Sequence, residues 1–187
     1  MAITLSIDAG LHGLGCGLFD GLELIAAWYV SPGGYGRGPT RWRAVIAAGL
    51  APLETMAINP DTVAIETMQI YNRASSRGDP ADILEVQGVC GAISGWGPFA
   101  GSTLVGYAPR EWKGAVPQAV YAARVDAYLA RRGWSGRLAP HPAARHHDVC
   151  HGIGVGLHHL GLVVAGKSCY PAPGPVVVAP LLSVPTT

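Results

Sequence analysis

A chain of 187 residues is sized for one domain, or one domain with a tail, and with 49% of its residues apolar and 13% charged it can fill a sizeable core. No apolar run reaches the roughly 18 uninterrupted residues that a membrane span needs, so no membrane association is expected. The net charge of +1 points neither toward nor away from nucleic acid, but eleven of the thirteen basic residues are arginine, whose flat fork suits phosphate. The start, MAITLSIDAG, shows neither a basic leader region nor a cleavage site. The four cysteines (Cys16, Cys90, Cys150 and Cys169) are scattered with no CxxC pair. Reduced thiols in a cytoplasm-like compartment are therefore the expectation.

ITLSID, residues 3 to 8, is short, β-branched and apolar, and GLGCGLFDG and LELIAAWYV follow it with only a Gly-bounded turn between them. This pattern predicts three consecutive strands in a meander. SPGGYGRGP, residues 31 to 39, is a loop. From Pro39 to about Met56, Trp42, Val45, Ile46, Leu50 and Leu53 recur at helical spacing, and Pro52 predicts a kink or an early stop. TVAIE, residues 62 to 66, is a compact buried strand. The polar loop TMQIYNRASSRGDP ends in Asp79 and Pro80, a helix cap and first helical position. The helix that follows, ADILEVQGVCGAISGW, carries Gly88, Gly91 and Gly95. Glycines weaken helices, so three of them predict a face pressed close to another backbone.

STLVGYA, residues 102 to 108, is a further strand, PREWKG a tight turn or short helix, and Gln118 to Arg132 an amphipathic helix. A polar segment then leads into HHDVCHGIGVGLHH, residues 146 to 159, an apolar helix rich in small residues. Residues 167 to 187 are Pro-rich and contain no acid, which predicts an extended tail outside a domain spanning residues 1 to 166. The order β-β-β-α-β-α-β-α-α implies an α/β fold: a mixed sheet, antiparallel meander plus parallel strands, with helices on its faces.

Asp8 closes the first strand and Glu66 the fourth. If those strands are neighbours, both carboxylates point to one edge of the sheet. Asp148 and His151 are three residues apart on the last helix, so they share a face that can be brought across to meet them. Clustered carboxylates repel one another, and their pKa values rise unless a cation neutralises them. An oxygen-rich cluster with one imidazole suits Mg²⁺ or Mn²⁺, and two such ions can clamp the attacking and leaving oxygens of a phosphodiester. Singly, Asp8 also reads as a turn former and Asp148 as an acid favoured by the helix dipole, whereas Glu66, a carboxylate ending an apolar strand, is less easily dismissed. His147, Cys150 and His151 are also possible zinc ligands. Neighbours on a helix point about 100° apart, however, and no second Cys/His cluster completes a tetrahedron. His158 and His159 read as structural or surface residues.

The segments IDAGLHGLGCGLFD, VAIE with its polar loop, YAPREWK and DVCHGIGVGLHH together resemble the RuvC-like Holliday junction resolvases, particularly the small phage-type members, of the ribonuclease H-like superfamily. The resemblance runs from about residue 3 to residue 162. It implies a ribonuclease H-like fold and a metal-dependent nuclease that resolves four-way or branched DNA in the cytoplasm of a bacterium or a phage-infected cell. Asp8 matches the first-strand aspartate, Glu66 the second acid, and Asp148 and His151 the closing D-x-x-D motif. Histidine at the last place departs from the common pattern. His147 beside it is a potential substitute ligand whose side chain is expected to point elsewhere. The resemblance makes Asp8, Glu66, Asp148 and His151 the ligands of two Mg²⁺ or Mn²⁺ ions, and Lys113 the residue that stabilises charge on the scissile phosphate.

Arg110 is implied to contact the DNA backbone. Tyr71, beside Ile70, is implied to stack on an unpaired base, unless it is a partly buried loop tyrosine, with Arg73 and Arg77 on the flanking phosphates. Such enzymes act as symmetric dimers. The Gly-rich helix is either the dimer face or a helix packed on its own sheet. No small-molecule cofactor is implied. Two rivals remain: a ribonuclease H that cuts RNA in hybrids, and a junction-binding protein with little cleavage. A third, the actin-like ATPase suggested by GLHGLGCGLFDG, would need a second such domain and a longer chain.

Overall fold

The strand Ile3–Ala9 (β1) has Thr4 to Ile7 buried without a break, so both of its faces must be covered, and it forms the middle of the sheet. In the computed structural model, which describes residues 2–34, 36–68, 79–162 and 176–177, β1 pairs antiparallel with Leu14–Asp20 (β2), and β2 pairs antiparallel with Glu23–Val30 (β3). On its other side β1 pairs in parallel with Thr62–Glu66 (β4), and β4 in parallel with Thr103–Tyr107 (β5). Val176–Val177 (β6) adds antiparallel to β5 at the edge, giving the order β3-β2-β1-β4-β5-β6. These two residues belong to the segment expected as a tail.

Parallel neighbours require crossovers, and helices supply them. Pro39–Met56 (α1) leads into β4 and Pro80–Ser94 (α2) into β5. Both cover one face, where Leu5, Ile7, Leu14, Cys16 and Leu18 meet Val45, Ile46, Leu50, Leu53, Val86 and Ile93. Gln118–Arg132 (α4) and His146–His159 (α5) lie over the other face, where Phe19, Ala64, Val105 and Tyr107 meet Tyr121, Val125, Leu129, Val149 and Ile153. A single helical turn, Pro109–Trp112 (α3), links β5 to α4. The expected mixed sheet with helices on both faces is present.

Two local expectations need correction. Pro52 neither stops nor ends α1, which runs on to Met56; Leu50 and Leu53, on either side of the proline, are both held in the core. Gly88 and Gly91 of α2, and Gly95 that caps it, do not press on the backbone of another element. A Cβ on Gly88 would collide with the Trp42 indole, whereas one on Gly91 would meet nothing within 4 Å. The cap was read correctly: the Asp79 carboxylate accepts the Ala81 N–H at 2.9 Å, with Pro80 at the first helical position.

Backbone-to-backbone packing belongs instead to α5. A Cβ on Gly152 would run into the Gly15 carbonyl of β2, and one on Gly15 into the Asp148 carbonyl of α5. Gly17 and Gly156 hold further close approaches around Ser6 and Phe19. At that depth a polar group needs a partner, and the buried Ser6 hydroxyl donates to the Gly152 carbonyl at 2.7 Å. The far end of α5 is tied to β5 through the Tyr107 hydroxyl, 2.9 Å from His159 Nδ1, with the His158 ring edge-on to Tyr107 at 4.8 Å. The two terminal histidines are structural, as expected.

This packing makes two alanine substitutions opposite in effect. Gly152→Ala is expected to lower stability by about 1–3 kcal/mol because the new methyl has only backbone to displace. Gly91→Ala, on an exposed helical position, is expected to leave stability unchanged or raise it by up to about 1 kcal/mol. Urea denaturation midpoints check both, and equal effects would mean that α5 does not sit as close to β2 as described.

Candidate active site

Alternation along a strand fixes where the two strand acids point. Asp8 shares its face with Thr4 and Ser6, the face covered by α5, and Glu66 shares its face with Ala64 in the same layer. The parallel register sets Ile7 beside Ile65, so Asp8 and Glu66 follow at the same ends of adjacent strands. The glycine contact between β2 and α5 then carries Asp148 and His151 over them. His151 Nδ1 lies 3.4 Å from Asp8 Oδ2. Lys113, just past α3, brings its Nζ to 3.9 Å from Glu66 Oε2 and over the Trp112 ring at 4.9 Å. Asp148 faces Arg145 at 3.6 Å and His147 at 3.0 Å. Each acid of the group is thus met by a base.

Burial dominates the electrostatics. Glu66 is only 6% exposed and His151 only 2%. Loss of hydration pushes Asp8 up to about 7; Asp148 adds to the rise, while Lys113 and His147 oppose it. Glu66 is likewise raised to about 7, by burial first and then by Asp8, against the pull of Lys113 and His151. Burial lowers His151 to about 4, helped by Lys113 and His147 and opposed by Glu66 and Asp148. His151 is therefore neutral near pH 7, its ring packed edge-on against Trp112 at 5.4 Å and Tyr121 at 5.9 Å.

Among the described residues, three buried atoms of this neighbourhood have no hydrogen-bond partner: Glu66 Oε2, His151 Nε2 and Trp112 Nε1, the last lying near Glu66 without closing a bond to it. Buried carboxylates held near neutrality, one with an orphaned oxygen, suit a hard divalent cation, and the neutral imidazole suits Mn²⁺ as well as Mg²⁺. By donor type the residues fit such ions. Among the described residues, the set of three whose ligand atoms all lie within 4.8 Å of one another is a different one, Asp126, His146 and Cys150. The acids around Asp8 are spread more widely than donors drawn about a single point.

Of the residues singled out from the sequence, Asp8, Glu66, Asp148, His151 and Lys113 lie in one neighbourhood. Arg110, exposed on α3, is three residues from Lys113. Tyr71, Arg73 and Arg77 lie outside the described residues. His147 corrects an expectation: its Nε2 contacts Asp148 and its ring stands 5.9 Å from that of His151, so it turns toward the site. Arg145 was missed, although its i,i+3 spacing from Asp148 was a legible signal. Trp112 and Tyr121, which wall the imidazole, carried no signal beyond being aromatic.

The shifts set a pH dependence of stability. Asp8 and Glu66 bind protons more tightly folded than unfolded, so their contribution is present at acid pH and is lost as pH rises toward about 7. His151 runs the other way, losing stability as pH falls from 6.5 through about 4. Two carboxyls against one imidazole leave a net loss on raising pH, and above about 6.5 only the carboxyls act. The metal-free chain is expected to be more stable near pH 6 than near pH 8, Mn²⁺ to restore stability mainly at the higher pH, and both effects to shrink in Asp8→Asn. Thermal melts at the two pH values check this; flat behaviour in both would count against the buried-acid geometry.

No protein-family model and no curated protein matches the chain. In structure it is similar to RuvC of Thermus thermophilus in complex with a Holliday junction substrate, at a TM-score of 0.55 and 21% identity, covering 85% of this chain and 93% of that one. A further Thermus thermophilus RuvC structure is similar at a TM-score of 0.50 and 20% identity, covering 86% of this chain and 97% of that one. The chain has the RuvC-like ribonuclease H fold, with Asp8 and Glu66 closing its two central parallel strands.

Proposed function

We propose that the chain is a divalent-metal-dependent, structure-selective endonuclease that resolves four-way or branched DNA by hydrolysing phosphodiesters. The observation that carries this reading is the pair Asp8 and Glu66: two carboxylates ending adjacent strands, desolvated together, with a lysine ammonium beside them. Groups placed this way are costly for folding alone and useful for handling charge. The fold supports it, since one of the similar RuvC structures was solved with a Holliday junction substrate.

In this reading Asp8, Glu66, Asp148 and His151 hold two Mg²⁺ or Mn²⁺ ions, which when bound supply charge stabilisation for phosphodiester hydrolysis. The chain's own groups do the rest. Lys113 Nζ, held near Glu66 and against Trp112, offers a cation to the charge that grows on the phosphate oxygens. Trp112 and Tyr121 keep water from the far side of the His151 ring. Arg110 contacts backbone phosphate from the exposed face of α3, with Arg73 and Arg77 on flanking phosphates and Tyr71 stacked on an unpaired base. Cutting two matching strands calls for a symmetric pair of copies. The proposed contact face is α2, where Leu84 is 68% exposed and, among the described residues, Gly91 has open space before it.

One observation favours a rival. The imidazole at position 151 gives the group one charge fewer than an all-acid set, which fits a junction-binding protein with little cleavage. Incubation with Mn²⁺ or Mg²⁺ and a labelled four-way junction, an RNA–DNA hybrid and a linear duplex separates the readings. Paired symmetric nicks in the junction alone support the resolvase; binding without nicks supports the binder; cleavage of the hybrid's RNA supports a ribonuclease H.

Asp8→Asn and Glu66→Gln are expected to reduce cleavage to background while retaining junction affinity, because removing a negative charge does not weaken phosphate contact. Parallel loss of binding in gel-shift assays would make these residues structural. Lys113→Ala is expected to slow cleavage by about 10²–10³-fold, as for loss of one transition-state donor, with a smaller change in binding. Single-turnover rates on prebound junction measure it, and an unchanged rate would remove Lys113 from the mechanism.

A further inference from the structure

Away from Asp8 and Glu66, three side chains of different ligand chemistry meet where α4 lies against α5. His146 and Cys150 are four residues apart on α5 and so share a face, and Asp126 comes from α4. His146 Nε2 lies 2.9 and 3.0 Å from the two carboxylate oxygens of Asp126. Cys150 Sγ lies 3.4 Å from the same Nε2 and 3.8 Å from Asp126 Oδ1. Donors bound to one tetrahedral zinc at its usual bond lengths stand about 3.3–3.7 Å apart, and the observed separations bracket that range.

The orientation of the ring excludes the other common use of these three residues. A nucleophile–base–acid relay puts the thiol and the carboxylate on opposite nitrogens of the imidazole. Here both face Nε2, and Nδ1 is engaged elsewhere. His141 Nδ1 can only donate to the Ala139 carbonyl, at 2.8 Å, so in a neutral ring its Nε2 is an acceptor. That Nε2 is 3.0 Å from His146 Nδ1, and the two rings are stacked, 9° from parallel. With both rings neutral, His146 Nδ1–H donates to His141, and the Nε2 lone pair is left facing a carboxylate and a sulfur. The proton at this point is that of the Cys150 thiol, which donates toward Asp126 Oδ1, and a metal ion that displaces it would meet three converging donor atoms. An imidazole whose second nitrogen is held by an acceptor is also the usual arrangement around a metal.

We propose that Asp126, His146 and Cys150 bind a zinc ion, completed by water, that ties α4 to the first turns of α5. Thiolate, imidazole and carboxylate together favour zinc over the hard cations suited to Asp8 and Glu66. Water can reach the fourth position, since the Asp126 and His146 side chains are 46% and 35% exposed. The site is independent of the proposed nuclease activity.

Cobalt(II) titration of the chelator-treated full chain tests it, because a cobalt–thiolate bond absorbs in the near ultraviolet and an oxygen-ligated cobalt does not. One equivalent per chain is expected to raise that band, and zinc to abolish it. Cys150→Ser is expected to lose the band. Asp126→Asn, half exposed and so tolerated by the fold, is expected to weaken cobalt binding by at least about tenfold. Asp8→Asn is expected to keep the band. No band in the wild-type chain, a band that survives Cys150→Ser, or unaltered affinity in Asp126→Asn would each overturn the proposal; the first would leave the thiol proton in place.

Discussion

The contact on which the rest of the structure depends is the meeting of two peptide backbones, Gly15 on β2 with Gly152 on α5, with Gly17 and Gly156 extending it. Dispersion and hydrophobic burial do not by themselves require so close an approach; ordinary helix-on-sheet packing leaves side chains between the layers. Removing them brings the first turns of α5 down to the ends of β1 and β2. There the buried Ser6 hydroxyl finds the Gly152 carbonyl at 2.7 Å, closer than the Gly17 carbonyl of β2 at 3.1 Å. The start of the helix is therefore positioned by shape with this hydrogen bond beside it, as its far end is held by Tyr107 and His159, and Asp148 and His151 inherit that position.

Close packing also explains the electrostatics. A layer that excludes side chains excludes water, so the acids beneath it lose hydration and hold their protons up to about pH 7. The opposing forces are local: Lys113 draws both carboxylates down, Asp148 drives Asp8 up, and Asp8 drives Glu66 up. A lysine alone does not offset the burial of two carboxylates. The balance is closed by protons at low pH and, in the reading proposed above, by divalent cations at high pH.

How far this was legible in the sequence follows the range of the interactions involved. The limits of α4 and α5 and of β4 follow from local periodicity and flanking turn residues, and the elements lie where those signals place them. Asp8, Glu66, Asp148 and His151 were readable because strand ends and i,i+3 spacing are local. Partners across the fold were not. Gly88 and Gly152 look alike in sequence, yet one faces an indole and the other a carbonyl. Pro52 reads as a kink or an early stop because the core contacts that hold Leu50 and Leu53 come from other elements. Asp126 was invisible as a ligand, since an acid on a polar helix face is ordinary. The i,i+4 pair His146 and Cys150 was the available clue, but His147 and His151 beside it offer the same donor chemistry and make the pair ambiguous in sequence.

The histidine at position 151 then has a physical rationale beyond family resemblance. The position is the most buried of the group, at 2% exposure, and its neighbours are already two carboxyls held near neutrality. A third carboxylate there would be desolvated as strongly as Glu66 and repelled by both, raising all three further. An imidazole offers a ligand nitrogen at the same place with no charge, because burial keeps it unprotonated, and its flat ring packs edge-on against both Trp112 and Tyr121. Deep burial of α5 and an acid at this position are thus in conflict. The chain keeps the depth and gives up the charge.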